Sequence, residues 1–155
     1  ARHLLTENRI SSAIEMLQPI LADEPSNDEA TVLLGQAFLG SDHRQAGEIV
    51  DIVDIGSKHY EAAEAVKTLA TVLGRLDNVH QLGESSVRDA YVAATRDVRS
   101  CAYESALEGF LDVVRRDRQY DKDGARKMII AIFKLLGEDH SLTRKYRKAL
   151  SSALH

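Results

Sequence analysis

The chain has 155 residues, 44% hydrophobic and 28% charged, with a net charge of −4. That length and apolar content support a buried core and exclude a disordered segment. One cysteine, Cys101, excludes an internal disulfide and a thiolate metal cluster, and the longest apolar run, Met128 to Phe133, is too short to cross a bilayer.

Five Tyr, three Phe and no Trp leave the core to Ala, Leu and other aliphatics, while two prolines and no alternating run point to helix throughout. Charge is uneven along the chain. Residues 1–114 carry 9 Lys/Arg against 19 Asp/Glu, and residues 115–155 carry 11 against 5, so an acidic body meets a basic end. A cysteine-poor chain suits a reducing cytoplasm, and a cysteine-poor periplasmic protein has the same composition.

Taken in order, the pattern predicts all helix, no sheet and about nine helices. A first helix over 1–6 starts in mid-turn at Ala1, with no polar cap on that end. We therefore expect an upstream domain, with residues 1–155 forming one helical unit after it. A second helix, 9–23, contains Pro19, whose missing amide predicts a kink. Ser26 and Glu29 have capping-box spacing for a helix at 27–40. Another follows at 43–54; Gly56-Ser57 then breaks and recaps the chain for 58–75. Residues 76–84, with Asn78, Gly83 and Glu84, read as a loop. Helices at 86–99 and 102–116 form a hairpin. Asp121 or Asp123 caps a helix to 136, Gly137 takes its C-terminal cap, and a last helix covers 141–153.

A period of 34 runs through these elements. Leu34-Gly35-Gln36-Ala37-Phe38 has the L-G-x-x-[YF] form, and Pro25 sits where the preceding repeat ends. Ala13, Leu17 and Ile20 give a small-large-apolar series. It recurs at Ala46, Val50 and Val53, and again at Tyr103, Ala106, Phe110 and Val113. A small residue lets paired helices approach, and the large residue four positions on fills the space beside it. The pattern resembles tetratricopeptide (TPR) repeats, which implies an all-α array of antiparallel helical hairpins, an α-solenoid.

Catalytic machinery is missing from this pattern. There is no phosphate-binding glycine loop, C-x-x-C or H-E-x-x-H, and His3, His43, His59, His80, His140 and His155 lack metal-ligand spacing. Asp121-Lys122-Asp123-Gly124 resembles the start of a calcium loop but lacks its third oxygen ligand and closing Glu, so it reads as a helix cap. Cys101 reads as a small residue at a hairpin turn. We expect no enzyme, no cofactor and no metal.

The TPR register places first helices on a concave groove, with Glu29, Val32, Gln36 and Leu39 facing it from one repeat and Arg88, Tyr91, Thr95 and Val98 from another. TPR domains that clamp a terminal carboxylate use Lys and Asn there; Val32 and Gln36 argue against that function. The last helix carries an apolar stripe, Leu142, Tyr146, Leu150 and Leu154, flanked by Arg144, Lys145, Arg147 and Lys148. It reads either as a cap on the array or, through Arg144, Lys145 and Lys148, as a docking helix for an acidic partner. An acidic body without interleaved aromatics argues against nucleic acid.

The run L-D-V-V-R-R-D-R-Q-Y-D-K-D-G-A-R-K (Leu111–Lys127), followed by F-K-L-L-G-E-D-H-S-L-T-R-K-Y-R-K-A-L-S-S-A-L (Phe133–Leu154), resembles the C-terminal end of the thioredoxin–TPR fusions called chaperedoxins. Arg115, Arg116, Asp117, Arg126, Tyr146 and Arg147 match that pattern; Asp117 would pair with a nearby arginine and Tyr146 pack on the preceding helix. The resemblance implies the TPR half of a bacterial cytoplasmic co-chaperone. Its partners would be unfolding client proteins and the chaperonin, and redox chemistry would belong to an N-terminal thioredoxin-fold domain. The alternative is a TPR scaffold for a dedicated assembly or secretion partner.

Overall fold

The computed structural model describes residues 1–155. They form α1 (Arg2–Thr6), α2 (Ile10–Asp23), α3 (Asp28–Phe38), α4 (His43–Val50), α5 (Tyr60–Arg75), α6 (Arg88–Arg99), α7 (Tyr103–Arg116), α8 (Tyr120–Leu136) and α9 (Ser141–Leu154), with a 3-10 segment at Leu76–Gln81 and no strand. The architecture is an all-α, TPR-like array of antiparallel hairpins.

The hairpins close on small residues. Ala46 and Ala106 are fully buried, as are Val50, Phe110 and Val113 beside them. On α7 a Cβ at Gly109 would lie 2.8 Å from the Ala94 Cβ of α6, so the two backbones touch where a side chain would otherwise stand. On α3 a Cβ at Gly35 would collide with Val50. The glycine of the L-G-x-x-[YF] motif thus sets the α3–α4 spacing. In α2, Ala13 and Leu17 are buried, but Ile20, expected to continue their series, is exposed.

Local starts and stops differ from expectation in instructive ways. The α3 cap is Asn27 rather than Ser26: its side-chain oxygen accepts the Ala30 amide at 3.0 Å, while Glu29 turns outward to Arg2. Helix α2 continues through Pro19 to Asp23. Helix α4 stops at Val50, earlier than expected, and Val53 tucks into the core in the turn that follows. Gly137 ends α8 at φ 92°, a conformation a side chain would strain.

The 76–84 stretch is more ordered than a loop. Its 3-10 segment breaks at Asn78 (φ −140°, ψ 60°), and the chain beyond is pinned to the α7–α8 corner. Tyr120 donates its hydroxyl to the Gly83 carbonyl at 2.8 Å, and Arg116 donates to the Ser86 carbonyl at 2.9 Å. Ser85 donates to Asp117 at 3.1 Å, so Asp117 binds a serine hydroxyl where an arginine was expected.

Neither Asp121 nor Asp123 caps α8. Asp121, Lys122 and Asp123 all lie in the left-handed region, at φ 50°, 56° and 65°, a conformation that costs about 1–2 kcal/mol per residue. Side-chain bonds hold the turn. Arg75 of α5 donates to both Asp121 oxygens at 2.8 Å, and the Tyr91 hydroxyl of α6 donates to Oδ2 at 2.7 Å. Arg126 donates to Asp123 at 2.5 Å.

Packing is sequential through most of the hairpins, but the chain also folds back on itself: Gly40 after α3 sits against the Arg99 carbonyl at the end of α6, and Gln36 of α3 reaches Tyr103 of α7. Helix α8 turns back to lie along α5, and α9 then covers α7 and α8. One core of 34 buried residues consequently runs from α3 to α9, while a separate group of 7 joins α1, α2 and the other face of α3.

Replacing Ala106 with Leu overpacks the α6–α7 crossing and is expected to lower stability by about 1–3 kcal/mol. A denaturant melt of the variant checks this; an unchanged midpoint contradicts the register.

Candidate partner-binding site

The residues assigned to a concave groove are mostly inside the molecule. Val32, Gln36, Leu39, Tyr91, Thr95 and Val98 are buried; Arg88 is half-buried and Glu29 exposed. They do not form one open surface, because α3 meets the ends of α6 and α7, with Gly40 against the Arg99 carbonyl and Gln36 bonded to Tyr103, and because of α8. Its first turn covers Tyr91, and its last residues, Lys134 to Gly137, face Val32 and Gln36 across a small cleft of about 190 Å³.

The buried polar groups in this set are satisfied structurally. Gln36 donates its amide to the Tyr103 hydroxyl at 2.8 Å, linking α3 to α7 across the core. Thr95 bonds back to the Tyr91 carbonyl at 2.8 Å. Tyr91 also packs edge-on against Phe110 and Tyr120, with ring centroids 5.6 and 5.4 Å away. Burial and the Asp121 carboxylate push its phenol pKa upward. Glu29 keeps its charge readily, because the bond from Arg2 lowers its pKa.

Cys101 occupies the α6–α7 turn at φ 56°, half-buried. Burial raises its thiol pKa, which disfavours the reactive thiolate. No three His, Cys, Asp or Glu side chains converge as a metal site, and no helix is long and apolar enough to cross a membrane.

Helix α9 buries Tyr146 and Leu150 and holds Leu142 and Leu154 half-covered. The Tyr146 hydroxyl donates to Glu108 at 2.8 Å, so it is anchored on α7 rather than on the preceding α8. Arg144, Lys145, Arg147 and Lys148 all point to water. Three of them are engaged within the chain: Arg144 with Asp139 at 3.2 Å, Lys145 with Glu104 at 2.7 Å and Arg147 with Glu138 at 2.6 Å. The Lys145 bond lowers the Glu104 pKa and raises that of Lys145.

Sequence reading missed the crease between α5 and α8. A cleft of about 260 Å³ there is lined by Glu64, Thr68, Arg126, Lys127 and Lys134 over apolar Ala65, Ile130 and Ala131. A second, about 270 Å³, continues it through Thr68 and Lys127 toward Arg75 and Lys122. Lys127 and Lys134 are seven apart, two turns on one helix face, and that spacing was the available signal.

Val32 and Gln36 are buried, so neither is open to a terminal carboxylate. A short acidic peptide is expected to bind equally well with a free or an amidated C-terminus. Calorimetric binding lost on amidation would contradict this.

Comparison with known proteins agrees with the hairpin geometry. The family model described as tetratricopeptide repeat matches residues 73–155, more than half of the chain. No curated protein and no solved structure matches. With small residues closing its hairpins and that match spanning α6 to α9, the chain belongs to the tetratricopeptide repeat family, whose domains bind other proteins.

Proposed function

We propose that this chain is the protein-interaction module of a cytoplasmic thioredoxin–TPR co-chaperone, taking up unfolding client proteins and the chaperonin. Residues 1–155 are its C-terminal helical domain, and the redox chemistry belongs to a thioredoxin-fold domain upstream. The observation that carries the reading is where exposed aliphatics gather. Met16 and Ile20 lie one turn apart on α2, and Ile52 and Ile55 lie in the turn after α4, at 47%, 38%, 69% and 78% exposure. Ser57 donates to Asp28 at the start of α3, which ties the turn holding Ile52 and Ile55 to the corner where α2 leads into α3. Aliphatic side chains left in water offer an unfolded segment something to cover. The resemblance of Leu111–Lys127 and Phe133–Leu154 to chaperedoxins supplies the class of partner.

In this reading the exposed cations Arg144, Lys145 and Lys148 on α9 dock the chaperonin, a contact that weakens with salt. Glu29 and the half-buried Arg88, at the starts of α3 and α6, flank the client path.

Two variants test this by separate readouts. Serine at Met16, Ile20, Ile52 and Ile55 is expected to abolish suppression of light scattering by a heat-aggregating client. Glutamate at Arg144, Lys145 and Lys148 is expected to reduce chaperonin capture while leaving the melting curve unchanged. Undiminished holding by the serine variant contradicts client binding by these side chains. Equal chaperonin capture leaves α9 as a cap alone.

A further inference from the structure

We propose that the α5–α8 crease seats an extended acidic segment of a partner protein, its side-chain carboxylates pairing with Lys58, Lys122, Lys127 and Lys134. This rests on the protein-binding reading and names the chemistry of the partner.

The charge pattern of the crease is lopsided once internal pairs are removed. Each acid that lines it already has a cation: Glu29 has Arg2 at 2.6 Å, Glu64 has Lys67 at 2.9 Å, and Asp121 has Arg75 at 2.8 Å. Arg126 is paired in turn with Asp123. Lys58, Lys122, Lys127 and Lys134 are exposed and form no ion pair. On α9, by contrast, three of the four cations are internally compensated.

The four lysines share one continuous surface. Lys134 borders both the central cleft and the cleft at the α3 end, where Lys58 also lies. Lys127 borders both the central cleft and the cleft at the Arg75 end, where Lys122 lies. Helix α5 has 16 residues, about 24 Å of length, which an extended peptide of about seven residues matches. Ala65, Ile130 and Ala131 form an apolar floor between the cations. A segment alternating acidic and apolar residues meets cations and floor together. Each exposed pair contributes little alone, so affinity comes from several at once and falls with salt.

A nucleic acid fits less well. The one Phe, Tyr or Trp ring that borders the crease, Tyr91, is only 1% exposed and cannot stack on a base.

The probe is a capped, C-amidated eight-residue peptide alternating Glu and Leu. Its companions are the same peptide with Gln for Glu, and an oligothymidylate of equal charge. Fluorescence anisotropy is expected to show the Glu peptide binding at least about tenfold tighter than either companion, a gap of about 1.4 kcal/mol. Added salt is expected to weaken that binding. Lys122→Glu, Lys127→Glu and Lys134→Glu together are expected to abolish it, and Arg144→Glu with Lys148→Glu to leave it intact. Should the reversed variant melt early, the Lys→Gln version serves, with about a tenfold loss expected. Equal binding of the Gln peptide, tighter binding of the oligonucleotide, or loss only in the α9 variant overturns the proposal. Client holding reads separately: a crease variant that keeps suppressing aggregation while losing the peptide leaves the co-chaperone reading standing. If the serine variant still holds clients but the crease variant loses the peptide, that reading fails and this one stands.

Discussion

The rest of the molecule depends on α8 lying back along α5. Neighbouring hairpins in a helical array bury one another in turn, and such a chain can come apart one repeat at a time. Here α5 packs on α4 from one side and on α8 from the other, so residues far apart in sequence share one core. Arg75 and Tyr91 reach the Asp121 carboxylate from α5 and α6, and this bond set holds three consecutive residues in a left-handed turn they would otherwise leave. That turn aims α8. Removing the carboxylate would strand the buried Tyr91 hydroxyl and release the turn together.

The same packing decides which surfaces remain for a partner. By covering Tyr91 and approaching Val32 and Gln36, α8 closes part of the space a concave groove would occupy, and the contacts of α3 with the ends of α6 and α7 close more of it. In exchange α8 presents Lys122, Lys127 and Lys134 along its own outer edge beside α5. The basic character of residues 115–155 therefore divides in two. On α9 it is largely compensated by Asp139, Glu104 and Glu138, whereas on α8 Arg126 is paired with Asp123 and Lys122, Lys127 and Lys134 are left to solvent. The exposed aliphatics lie on α2 and in the turn after α4, the turn that also carries Lys58.

Much of the fold was legible because helix-hairpin packing leaves a local, periodic trace. The Ala46–Val50 and Ala106–Phe110 spacings, the Gly35 motif and the Gly137 stop each act within a few residues, and a pattern within one window reports them. The fold-back of α8 leaves no such trace. Gln36 meets Tyr103 and Arg75 meets Asp121 across intervals of 67 and 46 residues, and nothing near either partner announces the other. For that reason the groove assignment at Val32, Gln36, Leu39, Tyr91, Thr95 and Val98 described an open array, while the chain closes over these positions. The left-handed turn was hidden for a related reason: Asp121 and Asp123 have the composition of a cap, but Asp121 is bonded by the distant Arg75 and Tyr91, and Asp123 by Arg126, instead of by the helix amides. On the functional side the basic end was visible, but the clean stripe of Leu142, Tyr146 and Leu150 drew attention to α9. Lys127 and Lys134 share a face just as regularly, and only the ion pairing seen in three dimensions separates the two sets.

The central claim is that α5–α8 packing joins the hairpins from α3 to α9 into one cooperative unit, with α1 and α2 attached outside it. Native-state hydrogen exchange along a denaturant series measures this directly. Buried amides of α5, α7 and α8 are predicted to converge on a single opening free energy, the global one, with α1 and α2 opening at a lower value. Separate opening free energies for α3–α5 and for α6–α9 would contradict the account, since each half would then fold without the contact said to join them.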